Sequence, residues 1–166
     1  MSGVDRGVVP TSGPDPRPRR TFLSIGSNLG DRRAYLRQAI ESLPDVVAVS
    51  PVYETDPVGG PSQGPYLNVI VELTTTLGPN ALLGICHRIE TAADRVRAVR
   101  WGARTLDIDI IWMDGVDVDD EQLTIPHPRW KERRFVLAPL RDLAEDLVSE
   151  ADVQMADGSV KLVGEL

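Results

Sequence analysis

The chain has 166 residues, 42% of them hydrophobic and 26% charged, which is ordinary for one compact domain with a sizeable core. Its formal net charge of −7 argues against a nucleic-acid partner, because such a surface repels phosphate except where arginines are locally concentrated. One cysteine and two histidines exclude an internal disulfide and a tetrahedral zinc set, and no apolar run is long enough to cross a membrane as a helix.

Residues 1–20 hold four prolines, three glycines and four arginines with hardly any large apolar side chain. Such a composition cannot offset the entropy of ordering a backbone, so a disordered tail is expected, followed by a single domain over residues 21–166. The N-terminus lacks the apolar centre of a signal peptide, and the expected compartment is the cytoplasm.

Thr21 to Gly26 reads as a first strand, and Leu36, Ala39, Ile40 and Leu43 then recur at helical spacing until Pro44. The intervening Gly26-Ser27-Asn28-Leu29-Gly30-Asp31 lacks the GxxxxGK[ST] pattern of a phosphate loop and suits a strand-to-helix turn capped by Asn28 or Asp31. Val46 to Glu54 is expected as a second strand. Tyr66 to Thr76 is expected as a third, with Leu67, Val69, Val71 and Leu73 on one face and Asn68, Ile70 and Glu72 on the other. The Pro- and Gly-rich loop from Thr55 to Pro65 that joins them is too long for a hairpin and is of a length common in binding elements.

Pro79 suits a helix start, with Leu82, Cys86, Ile89 and Ala93 forming its apolar stripe, so Cys86 reads as a core residue. The densest chemistry follows in Arg100-Trp101-Gly102-Ala103-Arg104-Thr105-Leu106-Asp107-Ile108-Asp109-Ile110. In a strand, residues two apart share a face, so Asp107 and Asp109 project together about 7 Å apart, while Leu106, Ile108, Ile110 and Trp112 face the other way. At an effective dielectric near 20 that pair repels by roughly 2.4 kcal/mol, a cost that a bound divalent cation reverses. Asp-x-Asp by itself also marks solvated strand edges. The chain's second match, Asp117-Val118-Asp119-Asp120, follows Asp114-Gly115 without an arginine run and reads as an acidic loop. Arg95, Arg97, Arg100 and Arg104 set the first match apart, because guanidinium forks suit phosphate oxygens, and the combination points to magnesium-nucleotide chemistry.

After Leu123 to Pro128 comes a basic stretch, Arg129 to Arg134, which resembles a solvated face. Phe135 to Leu140 then forms an apolar segment compatible with helix or strand. The order strand, helix, strand, strand, helix, strand is a split βαβ arrangement, α+β in class, with two helices on one face of an antiparallel sheet and the other face available for a site.

Seven ordered blocks resemble the 6-hydroxymethyl-7,8-dihydropterin pyrophosphokinase family. They are Gly26-Ser27-Asn28-Leu29, Tyr53-Glu54-Thr55 with Pro57, Tyr66-Leu67-Asn68, Arg88-Ile89-Glu90, Arg95-Val96-Arg97, the Arg100 to Asp109 run, and Pro126-His127. The resemblance covers about Thr21 to Leu140. It implies a ferredoxin-like core, a monomer, ATP and 6-hydroxymethyl-7,8-dihydropterin as substrates, and two magnesium ions between Asp107, Asp109 and the ATP phosphates. It further implies pterin contacts from Thr55, Pro57, Val58, Tyr66 and Asn68, with the ring between Trp101 and Phe135. Nucleotide contacts are implied for His87, Arg97, Arg100, Ile110, Thr124, His127 and Arg133, catalytic roles for Arg95 and Arg104, and a supporting role for Glu90. Three positions depart from the family pattern: Ala103 replaces the usual proline, Gln122 a frequent arginine, and His87 a common glutamine. A nucleotidyltransferase built on the same carboxylate pair, or a ligand-binding regulatory module of the same topology, are the alternative readings.

Overall fold

The computed structural model describes residues 17–56, 64–94 and 105–166. In chain order the elements are β1 (Arg19–Ser27), α1 (Arg32–Ser42), β2 (Val46–Val49), β3 (Tyr53–Thr55), β4 (Tyr66–Thr75), α2 (Pro79–Asp94) and β5 (Asp107–Met113), followed by β6 (Val118–Asp119), β7 (Thr124–Ile125), α3 (Arg134–Leu143), α4 (Glu150–Met155) and β8 (Val160–Leu162). The main sheet has the order β5-β1-β4-β3-β8, with β2 sharing the β4 edge. Its pairings are antiparallel, so the ferredoxin-like α+β class expected from sequence is the observed one.

Alternation along the strands builds two cores. Leu23, Ile25, Val69, Val71, Ile108 and Ile110 join Leu36 and Ala39 of α1 and Leu82 and Cys86 of α2 in one cluster. Phe22, Ile70 and Ile111 join Val136, Leu137 and Leu140 of α3 in the other. The second face is therefore not left wholly open, as the sequence suggested. The segment from Phe135 to Leu140 is helical and covers its apolar part. Further along β1 the residues on that face become Ser24 and Gly26, too small and polar to bury a helix stripe, and there the sheet is lined by a cleft.

Local chemistry sets the boundaries. Asp31 caps α1, its Oδ1 accepting from the Ala34 amide at 3.1 Å. The expected strand from Val46 to Glu54 is two strands, broken at Ser50-Pro51. Pro51 has no amide to donate, and the Ser50 hydroxyl accepts from the Ile70 amide at 2.8 Å in place of a ladder bond. Asp117 to Asp120 is not simply a loop, since Val118–Asp119 pairs with Thr124–Ile125 in a small ribbon. Asp120 Oδ1 closes that ribbon's turn by accepting from the amides of Gln122 and Leu123 at 2.9 and 2.8 Å.

Trp112 does not share a face with Ile108 and Ile110. The β1–β5 register shifts between Phe22, which opposes Trp112, and Leu23, which opposes Ile110. The extra residue, Ile111, is a bulge that turns the strand, bringing Trp112 to Phe22 with ring centroids 5.9 Å apart. β1 also starts two residues before its expected boundary. Arg20, assigned to the tail by composition, sits in the strand with its guanidinium on Glu72 at 2.9 Å and Asp146 at 2.8 Å. The remainder of the tail expectation, residues 1–16, lies outside the described residues.

Candidate active site

The site begins with one row of residues across the sheet. Asp107 of β5 opposes Gly26 of β1, Gly26 opposes Asn68 of β4, and Asn68 opposes Tyr53 of β3. In the neighbouring row Asp109 opposes Ser24. Both carboxylates therefore stand beside the smallest side chains of β1, which leaves space above them for a ligand.

Two cavities meet at this pair. The first, about 550 Å³, is lined by Asp107 and Asp109 together with Thr55, Tyr66, Asn68, Arg133 and Phe135. The second, about 350 Å³, is lined by the same two aspartates with His87, Glu90, Ile110, Thr124 and His127. The expected pterin residues that are described thus fall in one cleft. The expected nucleotide residues that are described fall in the other, except for Arg133, which stands on the Phe135 side with its guanidinium carbon 5.6 Å from that ring's centroid. Ile110 borders the second cavity although its side chain belongs to the core. Pro57, Val58, Arg95, Arg97, Arg100, Trp101 and Arg104 lie outside the described residues, as does Ala103.

Fixed hydrogen bonds hold the first cleft. Asn68 Nδ2 donates to Thr55 Oγ1 at 2.8 Å, a buried bond that directs the amide oxygen toward β1. A Cβ on Gly26 would lie 2.7 Å from that oxygen, so only glycine fits here without displacing the amide. This arrangement offers a flat heterocycle one amide edge and one aromatic face.

Among the described residues β5 is an edge strand, and its outer edge is managed by a side chain. Glu90 of α2 accepts from the Ile108 amide at 3.3 Å, between the two aspartates in sequence. At the strand's start the Ser27 hydroxyl donates to the Thr105 carbonyl at 2.5 Å. His127 is set by its backbone amide, which donates to the Ile111 carbonyl at 2.8 Å, and by its Nδ1, which accepts from the Arg129 amide at 3.2 Å. The neutral ring therefore carries its proton on Nε2. Burial lowers the His127 pKa below its ordinary value and Arg133 and Arg129 push it the same way, against the opposing pull of Asp107. Burial, reinforced by Glu90 and Asp109, pushes the Cys86 thiol up to about 12, which fits a core residue and not a nucleophile.

Among the described residues no group of three or more His, Cys, Asp and Glu side chains could cage a metal ion. A carboxylate pair lining two clefts fits a hard cation of the magnesium type, which is held by one or two carboxylates and completed by phosphate oxygens. Among the described residues no helix is long and apolar enough to cross a membrane.

Ser24, Gly26, Asp56, Arg129, Glu132, Asp157 and Gly158 also line the first cleft and were not named as site residues from sequence, Gly26 having been read only as part of a turn and of a family block. For Ser24 and Gly26 the signal was present, since they alternate with the apolar Leu23 and Ile25. Arg129 and Glu132 sit in the stretch read as a solvated face. Asp157 carries no local signal at all.

A sequence model of the family described as "7,8-dihydro-6-hydroxymethylpterin-pyrophosphokinase (HPPK)" matches residues 22–145. The chain is 46% identical over 135 residues to the 2-amino-4-hydroxy-6-hydroxymethyldihydropteridine pyrophosphokinase of Bacillus subtilis, covering 78% of this chain and 81% of that protein. It is likewise 46% identical over 134 residues to the enzyme of the same name from Methylorubrum extorquens, covering 78% and 85%. Among solved structures it resembles an HPPK-DHPS crystallised in complex with substrates, with a TM-score of 0.59 at 14% identity over 76% of this chain. Wild-type HPPK-DHPS of Plasmodium falciparum gives a TM-score of 0.58, also at 14% identity over 76%. The chain spans only 40% and 38% of those two chains, and at such identity the likeness speaks for the fold alone. Family match, close relatives and fold agree, and the chain belongs to the 7,8-dihydro-6-hydroxymethylpterin-pyrophosphokinase family.

Proposed function

We infer that this protein transfers diphosphate from ATP to the hydroxymethyl group of 6-hydroxymethyl-7,8-dihydropterin, releasing AMP, as a step of folate biosynthesis. The observation that carries this reading is the sharing of Asp107 and Asp109 by two clefts, one edged by an amide and an aromatic ring and the other by two histidines and Thr124. Two substrates seated in those clefts have their reacting groups at the carboxylate pair.

In the proposed mechanism the hydroxymethyl oxygen attacks the β-phosphorus of ATP in line, the new O–P bond forms, and the bond to the α-phosphate oxygen breaks so that AMP leaves. Asn68 and Thr55 hold the pterin edge, Tyr66 and the proposed Pro57 and Val58 line its slot, and Phe135 with Trp101 clamps its faces. His87, Arg97, Arg100, Ile110, Thr124, His127 and Arg133 hold the nucleotide, with Arg133 reaching it from the pterin side. Arg95 and Arg104 neutralise the charge that develops on the transferred group. Glu90 acts indirectly, by fixing the edge of β5. The family uses ATP with a divalent metal, for which we propose two magnesium ions held by Asp107 and Asp109; bound there, they offset the negative charge of the phosphates. The proton of the alcohol passes to Asp109 or to solvent.

A single domain over residues 21–166 acting as a cytoplasmic monomer completes the proposal, with residues 1–20, apart from the strand residues Arg19 and Arg20, dispensable for the reaction. The test is product analysis with ATP, magnesium and the pterin alcohol. Equimolar AMP and pterin diphosphate, formed at the same rate by the full chain and by a chain lacking residues 1–16, is the expected result. Release of pyrophosphate instead would point to nucleotidyl transfer.

A further inference from the structure

The family match ends at residue 145, yet residues beyond it form part of the first cleft. The segment is firmly attached there. The Asp157 amide donates to the Glu132 carbonyl at 2.8 Å, and the Asp157 carbonyl accepts from the Arg134 amide at 3.0 Å. Asp157 thereby straddles Arg133 in a parallel bridge. Arg134 reinforces the attachment from its side chain, donating from Nε to the Val153 carbonyl at 2.9 Å and from its terminal nitrogen to the Gln154 carbonyl at 2.8 Å. Those carbonyls belong to the last turn of α4, where a cation is favoured by the helix dipole.

Past Asp157 the chain turns at Gly158, whose φ of +97° lies in the region that favours glycine, and enters β8. There Val160 pairs with Thr55, the residue that anchors Asn68. Residues 157 to 160 thus bridge the two walls of the pterin cleft, from the Arg133–Phe135 side to the Thr55 side. Gly158 brings no side chain to this span, and Asp157, whose backbone amide and carbonyl are both spent on the attachment, has its carboxylate as the further polar group of a residue that lines the cleft.

Resting on the function inferred above, we propose that Asp157 is a specificity-determining residue of the first cleft, its carboxylate accepting a hydrogen bond from an N–H on the rim of the bound pterin. A reduced pterin carries several ring and exocyclic N–H donors, and an ionised carboxylate is the stronger kind of acceptor for them. The bonds that attach Asp157 to α3 are made by its backbone, so replacing its side chain separates recognition from folding.

The experiment compares wild type with Asp157→Ala and Asp157→Asn in the full chain, measuring dissociation constants for 6-hydroxymethyl-7,8-dihydropterin and for ATP-magnesium separately, together with Tm. Asp157→Ala is expected to weaken pterin binding about fivefold and Asp157→Asn less, with ATP affinity within about twofold and Tm within about 2 °C of wild type. A pterin affinity changed by twofold or less in Asp157→Ala, or an equal loss for both ligands, overturns the proposal. Failure of wild type itself to bind the pterin alcohol would instead refute the inferred function.

Discussion

Gly26 and Asn68 oppose each other across the β1–β4 ladder so closely that a methyl group on Gly26 would sit 2.7 Å from the Asn68 amide oxygen. Asn68 is only 4% exposed and is tied to Thr55, so its amide has little freedom to yield. Gly26→Ala should displace the amide and break that bond, weakening pterin binding at least tenfold and destabilising the fold by about 1–3 kcal/mol. ATP affinity, measured in parallel by calorimetry, should change far less. Unaltered pterin binding would mean that Asn68 is not a ligand.

Asp107 and Asp109 are half-buried and belong to neither apolar cluster. Asp107→Ala and Asp109→Ala should each lower turnover by at least about 10³, because the proposed magnesium ions that would offset the phosphate charge lose a ligand. Circular dichroism and Tm should stay close to wild type. Near-normal turnover in either variant would refute its assignment.

Arg95 and Arg104 precede β5 in the chain and carry the proposed transition-state charge. Alanine at either position should depress kcat by about 10² or more with a much smaller change in substrate affinity. Lysine keeps the charge but loses the planar fork, and should remain impaired. Single-turnover kinetics distinguish this from slowed product release, and an unchanged chemical step in all four variants would leave these arginines without a catalytic role.

His127 should titrate below the ordinary histidine value of 6.5, mainly because it is buried and further because Arg133 and Arg129 are near. In Arg133→Ala the midpoint should rise, yet stay below the ordinary value because burial persists; NMR titration of the His127 ring resonances reads both. The unfolded chain takes up this proton first as pH falls. The stabilising contribution of neutral His127 is therefore complete above about pH 6.5 and is lost as pH drops through the lower folded value. His127→Gln should accordingly lose less stability than wild type between about pH 7 and 5.

Sequence by itself determined the elements whose periodicity is uninterrupted, and the chemistry concentrated within one strand. The alternation of Leu67, Val69, Val71 and Leu73 with Asn68 and Ile70 predicted both faces of β4, because a strand's period of two is a local property. The Asp107–Asp109 pair was legible for the same reason. Trp112 was misplaced because a bulge is set by how β5 meets β1, and no residue of β5 announces it. Arg20 was lost to the tail because its partners Glu72 and Asp146 are distant in the chain. The same holds for the cleft. The row Asp107, Gly26, Asn68 is assembled from three strands by register, and Asp157 reaches it only through backbone pairing with Glu132 and Arg134. Local periodicity fixes which side chains share a face, whereas strand register and helix docking, which depend on contacts between distant segments, decide which faces enclose a common cleft.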